Sequence, residues 1–276
     1  MKSLIYIYCI LLSFLYACSD LNYNYDIDTN YYDISKRLDD KDSSLTQNEI
    51  DTLILYLENE NKDSLLEIIS NKTALYYYDD NAELYINYIK KSASVVSKSN
   101  NKFKYANLIQ NIAFVYDEKL TEYDEAINYC LKAIKIWQEI NDTLNIANMQ
   151  KYLGYLYGKV REFEKAKYSI IHSISLYESK KNEKGIAVSY FDFALVYYEE
   201  GLIDSALFYL KNAKHIWNKY DEKSRIFLIN NHILRCYFED KNNPEYIQCK
   251  NENNNILKSN SIYKKHIDDF HDILDE

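Results

Sequence analysis

Glycine and proline are nearly missing from this chain, with four and one in 276 residues. Sandwiches and barrels need a turn roughly every 8–12 residues, built largely from those two residue types. Their scarcity argues for long helices joined by short turns. Five cysteines are present, Cys9, Cys18, Cys130, Cys236 and Cys249, with no C-x-x-C pair and no histidine spaced to complete one. A zinc centre is therefore not expected. Cys236 and Cys249 are either bonded across a helical hairpin or two buried free thiols, and spacing does not choose. Basic excess is lacking too: 33 Lys and Arg stand against 42 Asp and Glu, a net charge of −9. That gives no support to a nucleic-acid surface. Catalytic signatures are also missing. There is no G-x-S-x-G, no glycine-rich phosphate loop and no H-E-x-x-H. His172, His215 and His232 fall on separate segments. His266 and His271 are five apart, one more than the spacing that faces two ligands together on a helix. Glu199-Glu200 and Asp268-Asp269 read as solvated charge. No enzyme, cofactor or metal site is expected.

What is present is repetition. Ala126, Ala166 and Ala206 lie 40 residues apart, as do Ala133, Ser173 and Ala213, and Trp137, Tyr177 and Trp217. Tyr116, Tyr157 and Tyr197 repeat at 41 and then 40. A fixed period of this length marks a solenoid, whose units bury their apolar faces only against neighbours. Apolar residues make up 47% of the chain, enough for a core. Tyrosine reaches 30 residues, and asparagine and lysine are plentiful.

In chain order, residues 1–17 read as a signal peptide. Lys2 supplies the positive start, and Leu4 to Ala17 form an uncharged apolar run too short to span a bilayer. The run ends Leu15-Tyr16-Ala17-Cys18, which resembles a bacterial lipobox. The resemblance implies cleavage before Cys18 and lipidation of its thiol, with Tyr16 departing from the usual small or aliphatic residue. Residues 18–45 are rich in Asn, Asp and Tyr and are expected to form a flexible tether. Helices are expected from Thr46, where Thr46 to Glu49 fit a capping box. Further helices are expected from about Ser64 and after Asp80. Three clear helix pairs then follow at 102–118 with 122–139, 143–159 with 162–179, and 183–200 with 202–219. Asn101, Asn141, Asn182 and Asp221 mark breaks between units, and Gly201 a turn inside the third. Another first helix is expected over 224–239, a weakly patterned stretch over 245–260, and a last helix over 262–274. The fold class is all-α: an antiparallel helix-pair solenoid of about four to five repeats over 46–276, clearest over 102–240.

The units resemble tetratricopeptide repeats. The second reads Leu153-Gly154-x-x-Tyr157, then Phe163-x-x-Ala166 and Ser173. Its sisters read Ile112-Ala113-x-x-Tyr116 with Tyr123-x-x-Ala126 and Ala133, and Phe193-Ala194-x-x-Tyr197 with Ile203-x-x-Ala206 and Ala213. Small residues let helices touch, and the aromatics fill the space beside them. The period exceeds the family's, about 34, and the closing proline is absent.

The resemblance implies a concave face lined by first helices that takes peptides or protein segments. Mapped by position, that face carries Asn107, Gln110, Asn111 and Phe114, then Asn148, Lys151, Tyr152 and Tyr155. Phe191, Asp192, Leu195 and Tyr198 follow, and then Asn231 and Arg235. Asn side chains both donate to and accept from a peptide backbone, and aromatics are rigid anchors. Taken singly, each is read as packing or common composition; taken as a face, the mixture fits peptide recognition. The positions that hold a carboxylate clamp in chaperone-tail binders carry Gln110, Phe114, Tyr152, Val188 and Asp192 here, so that partner type is not expected. The expected role is a non-catalytic scaffold for another protein or peptide, anchored through Cys18 in a bacterial cell envelope. Alternatives are a sensory input domain of a signalling protein and an accessory subunit of an outer-membrane assembly complex.

Overall fold

The computed structural model describes residues 27–259. The signal segment, Cys18 and the helix expected over 262–274 lie outside the described residues. Among the described residues the regular structure is twelve helices, and the chain divides into two compact units between Val95 and Val96. No described helix is long and apolar enough to cross a membrane.

The first unit holds α1 (Ile27–Asp39), α2 (Gln47–Asn59), α3 (Asp63–Tyr77) and most of α4 (Ala82–Lys98). The capping box forms: Glu49 N–H donates to Thr46 Oγ1 at 3.3 Å, and Thr46 N–H donates to Glu49 Oε2 at 2.7 Å. The Thr46 hydroxyl, donating to Glu49 Oε2 at 2.6 Å, then the Thr46 N–H and Arg37 at 3.0 Å hold the Glu49 carboxyl down at about 2. Ile50, Leu53, Ile54 and Leu57 are buried as the spacing requires. Helix α1 corrects the tether expected over 18–45, because a helix lies inside it. Ile34, Leu38 and Leu45 are buried, and α1 packs on α2 and α3. Lys72 Nζ donates to Ser35 Oγ at 2.8 Å. Two inward residues four apart, set among Asp, Asn and Tyr, are too few to register as apolar periodicity.

The second unit runs through α5 (Lys102–Glu118), α6 (Tyr123–Glu139), α7 (Thr143–Lys159), α8 (Phe163–Ser179), α9 (Glu183–Glu199), α10 (Ile203–Lys219), α11 (Lys223–Cys236) and α12 (Pro244–Ser259). The pairs α5–α6, α7–α8 and α9–α10 are the three expected repeats. Helix α12 replaces the weakly patterned stretch expected over 245–260. Pro244 occupies its first position, where no N–H is needed. Its Asn-rich sequence hid it, since few residues are apolar.

The helices α5 to α10 are all 17 residues long. The turns share one geometry. Asn141, Arg161, Lys181, Gly201 and Asp221, 20 residues apart, all take positive φ. The next residue's N–H donates back into the helix end: Asp142 to the Trp137 carbonyl at 3.0 Å, Asn182 to Tyr177 at 2.9 Å and Leu202 to Tyr197 at 2.8 Å. This left-handed closure satisfies orphan carbonyls and reverses the chain. The structural period is therefore 20, and the 40-residue sequence repeat is two of them. The 41-residue step from Tyr116 to Tyr157 has a local cause. The α5–α6 turn, 119–122, is one residue longer than the others in this series. There Thr121 takes φ 55°, a poor fit for a β-branched residue. Thr121→Gly is expected to stabilise the chain by about 0.5–1 kcal/mol, read as a raised urea midpoint.

Small residues set the helix spacing. A Cβ on Gly154 would sit 2.4 Å from Ile170 Cγ1 and 3.0 Å from the Ala166 carbonyl oxygen. Ala126, Ala133, Ala166, Ala206, Ala213 and Ser173 are all fully buried. Phe193 fills the α8–α9–α10 junction, 4.5 Å from the Tyr209 ring and 4.8 Å from Tyr197.

Candidate functional site

Successive first helices of the second unit are joined by side-chain pairs about one period apart. Phe114 on α5 meets Tyr152 on α7 edge-on at 4.7 Å. Tyr152 also donates its hydroxyl to Asp117 Oδ2 at 2.8 Å. From α7, Lys151 Nζ pairs with Asp192 on α9 at 3.1 Å. From α9, Phe191 meets His232 on α11 at 5.0 Å, and Tyr198 lies under the Arg235 guanidinium at 5.5 Å. Helices α7 and α9 also approach each other closely, which no pair of second helices in this unit does to that extent among the described residues. The side formed by α5, α7, α9 and α11 carries these pairs and is the candidate face.

The expected residues divide into three groups. Asn107, Asn111 and Leu195 are half-buried and Asn148 is exposed on this face. Asn107 donates its amide back to the Phe103 carbonyl at 3.0 Å, within its own helix. Asn148 accepts the Tyr177 hydroxyl, so part of its capacity is spent within the repeat. The second group is engaged by neighbouring side chains, across helices for all but Tyr155, whose partners lie on α7 itself. Phe114, Phe191, Tyr198 and Arg235 have the partners given above, and Tyr155 stacks on Tyr152 at 5.9 Å with Lys159 over its ring at 5.2 Å. Lys151 belongs here as well: it is a half-buried ion-pair partner, with side-chain exposure of 22% against 14% for Asp192. The third group is Asn231 alone, which is a correction. Its side chain is buried and accepts the Asn253 amide at 2.7 Å. Asn253 in turn accepts from Asn230 at 2.9 Å, so Asn231 belongs to a polar seam between α11 and α12. With α12 unforeseen, nothing covered that side of α11 in the sequence reading. Cys236 and Cys249 are free, with Cys249 buried beneath Lys214 Nζ at 3.6 Å.

Burial governs the ionisation of this face. It raises the Asp192 carboxyl above its usual range, and Lys151 opposes the rise. It raises the Tyr155 phenol to about 12, with Asp117 adding to the shift. The His232 imidazole is held down at about 4 by burial and the nearby Arg235 charge, so it is neutral at pH 7. Asp117 and His232 were not among the expected face residues. The pair arithmetic would have found them, because residues 35–41 apart on first helices face one another here.

The His232 shift has a consequence for stability. As pH falls below about 6.5 the unfolded chain takes up this proton before the folded one. Stability is then lost progressively from about pH 6.5 down to pH 4. The loss is expected to be about 2 kcal/mol at this partly exposed position. His232→Gln should flatten urea midpoints across that window, and an unchanged slope would contradict the assignment.

Several solved structures share this arrangement. BtubC from P. vanneervenii superposes with a TM-score of 0.60 at 13% identity, covering 84% of this chain and 91% of that one. A STAND protein with a tetratricopeptide repeat sensor from Pyrococcus horikoshii gives 0.64 at 12% identity, over 90% of this chain and 38% of that one. The Rap conjugation gene regulator of plasmid pLS20, in complex with the Phr* peptide, gives 0.56 at 17% identity, over 74% and 56%. The fold is a tetratricopeptide-like solenoid. At these identities the likeness establishes the fold alone. No protein-family model and no curated protein matches the sequence.

Proposed function

We propose that the chain is a non-catalytic scaffold that holds an extended peptide segment of another protein against the α5–α7–α9–α11 side. The observation that carries this reading is the mixed chemistry of one continuous face. Amides at Asn107, Asn111 and Asn148, each at least partly exposed, share this face with rings held by neighbours, at Tyr155 and Tyr198. Amides serve a backbone in both senses, and pre-positioned rings take side chains at little entropic cost. A protein of the same fold is in complex with a peptide, which supports the choice of ligand class. A sensory input role is a variant of this reading, since it too works through occupancy of the face.

The reading includes an anchor. Leu15-Tyr16-Ala17-Cys18 supports lipidation at Cys18 and placement in a bacterial cell envelope. Acyl chains contribute about 0.8 kcal/mol per buried CH₂. Cys18→Ser is expected to abolish labelling by a palmitate analogue and to release the protein from membranes. Retained labelling would remove the anchor from the account.

Binding is tested by selecting random peptides on the full chain and on a Tyr155→Ala, Tyr198→Ala variant of equal thermal stability. The expected result is a recurring motif on the wild type that disappears on the variant. A motif that survives unchanged places binding elsewhere.

A further inference from the structure

The charge on this face is unevenly satisfied. Asp192 is taken by Lys151 at 3.1 Å. Other cations of the later repeats also have carboxylates: Lys184 with Glu222 at 2.8 Å, Lys211 with Glu245 at 2.8 Å and Lys214 with Glu252 at 2.6 Å. Arg235 does not. Its side chain is exposed, lies 5.5 Å over the Tyr198 ring, and meets no carboxylate at ion-pair distance among the described residues. In a chain where 42 acidic residues outnumber 33 basic ones, a guanidinium held by a ring and lacking an acid is available for a ligand. Stacking orients the planar fork and leaves its N–H donors free along the edge.

The surroundings narrow the ligand. Phe191, Leu195 and Tyr198 are spaced four and three apart on α9, so they form one apolar row on one side of the helix. His232, one turn before Arg235, closes the row at Phe191 and carries no charge at neutral pH. The Tyr198 end of this apolar row thus meets the Arg235 guanidinium, while Arg225 lies beside its Phe191 end.

We propose that the peptide held on this face presents a carboxylate to Arg235, with an apolar side chain beside it along Phe191, Leu195 and Tyr198. The proposal rests on the peptide-scaffold reading and adds the ligand's chemistry to it. The carboxylate is either a chain terminus or an Asp or Glu side chain. Both accept the same two parallel hydrogen bonds from a guanidinium.

Two random heptapeptide libraries separate the sources, one ending in a free C-terminus and one flanked on both sides. Each is selected on the full chain, on Arg235→Gln and on Arg235→Lys, with thermal melts confirming that all three fold. Enrichment confined to the free-ended library assigns a terminal carboxylate, and acidic residues enriched in both assign a side chain. The best peptide is expected to bind Arg235→Gln about 10- to 100-fold more weakly, and Arg235→Lys by less. Replacing the peptide's carboxylate by its amide should cost the wild type a similar factor and cost Arg235→Gln nothing further. Peptides that bind Arg235→Gln as well as the wild type, or an amide that binds undiminished, would overturn the carboxylate proposal and leave the scaffold reading standing. No enrichment in either library would overturn both.

Discussion

Replacing Lys151 with methionine is expected to destabilise the second unit by about 3 kcal/mol. The change leaves the Asp192 carboxylate without its partner at a site where burial already raises its pKa. Desolvation of an unpaired charge dominates here, because methionine replaces nearly all the volume of the lysine stem. The pH dependence gives the sign. A carboxyl that binds its proton more tightly folded than unfolded loses stability as pH rises through its window. Removing Lys151 widens that window upward. The variant should therefore be least impaired near pH 4 and most impaired at neutral pH. Adding Asp192→Leu removes the stranded charge, and the double variant is expected to return to within about 1 kcal/mol of wild type. Urea melts of the two single variants and the double variant form a cycle. Additive losses would mean that the two side chains do not interact.

Phe193→Ala is expected to cost about 3–5 kcal/mol. Phe193 is only 2% exposed and packs with Ala166, Ile170 and Val196 between the second and third repeats. Its neighbours Tyr197 and Tyr209 stack on one another at 5.5 Å with nearly parallel rings. They cannot collapse into the gap without breaking that stack. Since solenoid units are stabilised by their neighbours, loss at one interface propagates to both repeats that share it. Unfolding is expected to become less cooperative, with a lower and broader thermal transition. A sharp transition at the wild-type temperature would contradict the assigned packing.

Both variants test a frame much of which could be read without coordinates. Ala126, Ala166 and Ala206 announced the second helices because close helix approach admits no larger side chain, and that requirement recurs with the repeat. Asn101 and Asn182 were legible as caps, and each does accept a backbone N–H three residues on. Asn141 and Asp221, read in the same way, instead carry the positive φ of the turn. Asparagine and aspartate serve both roles, so composition alone does not separate them. Helix α1 and helix α12 escaped because their inward residues are few and their surfaces polar. Asn231 was misplaced for the same reason, since its partner Asn253 lies on the unforeseen α12. Lys151 was read only as a residue of the binding face. Its ion pair joins residues 41 apart, a contact visible only once the period is used as a distance rule between neighbouring helices.

Site-specific photo-crosslinking shows whether partners occupy the α5–α7–α9–α11 side. A benzophenone amino acid is placed at Tyr155 on that side. In a second sample it is placed at Tyr168 on the second helix α8, which is 74% exposed. Both full-length proteins are irradiated in the cells that make them. A discrete crosslinked species is expected from position 155, competed by the selected peptide, and none from position 168. Crosslinking from position 168 alone would contradict it.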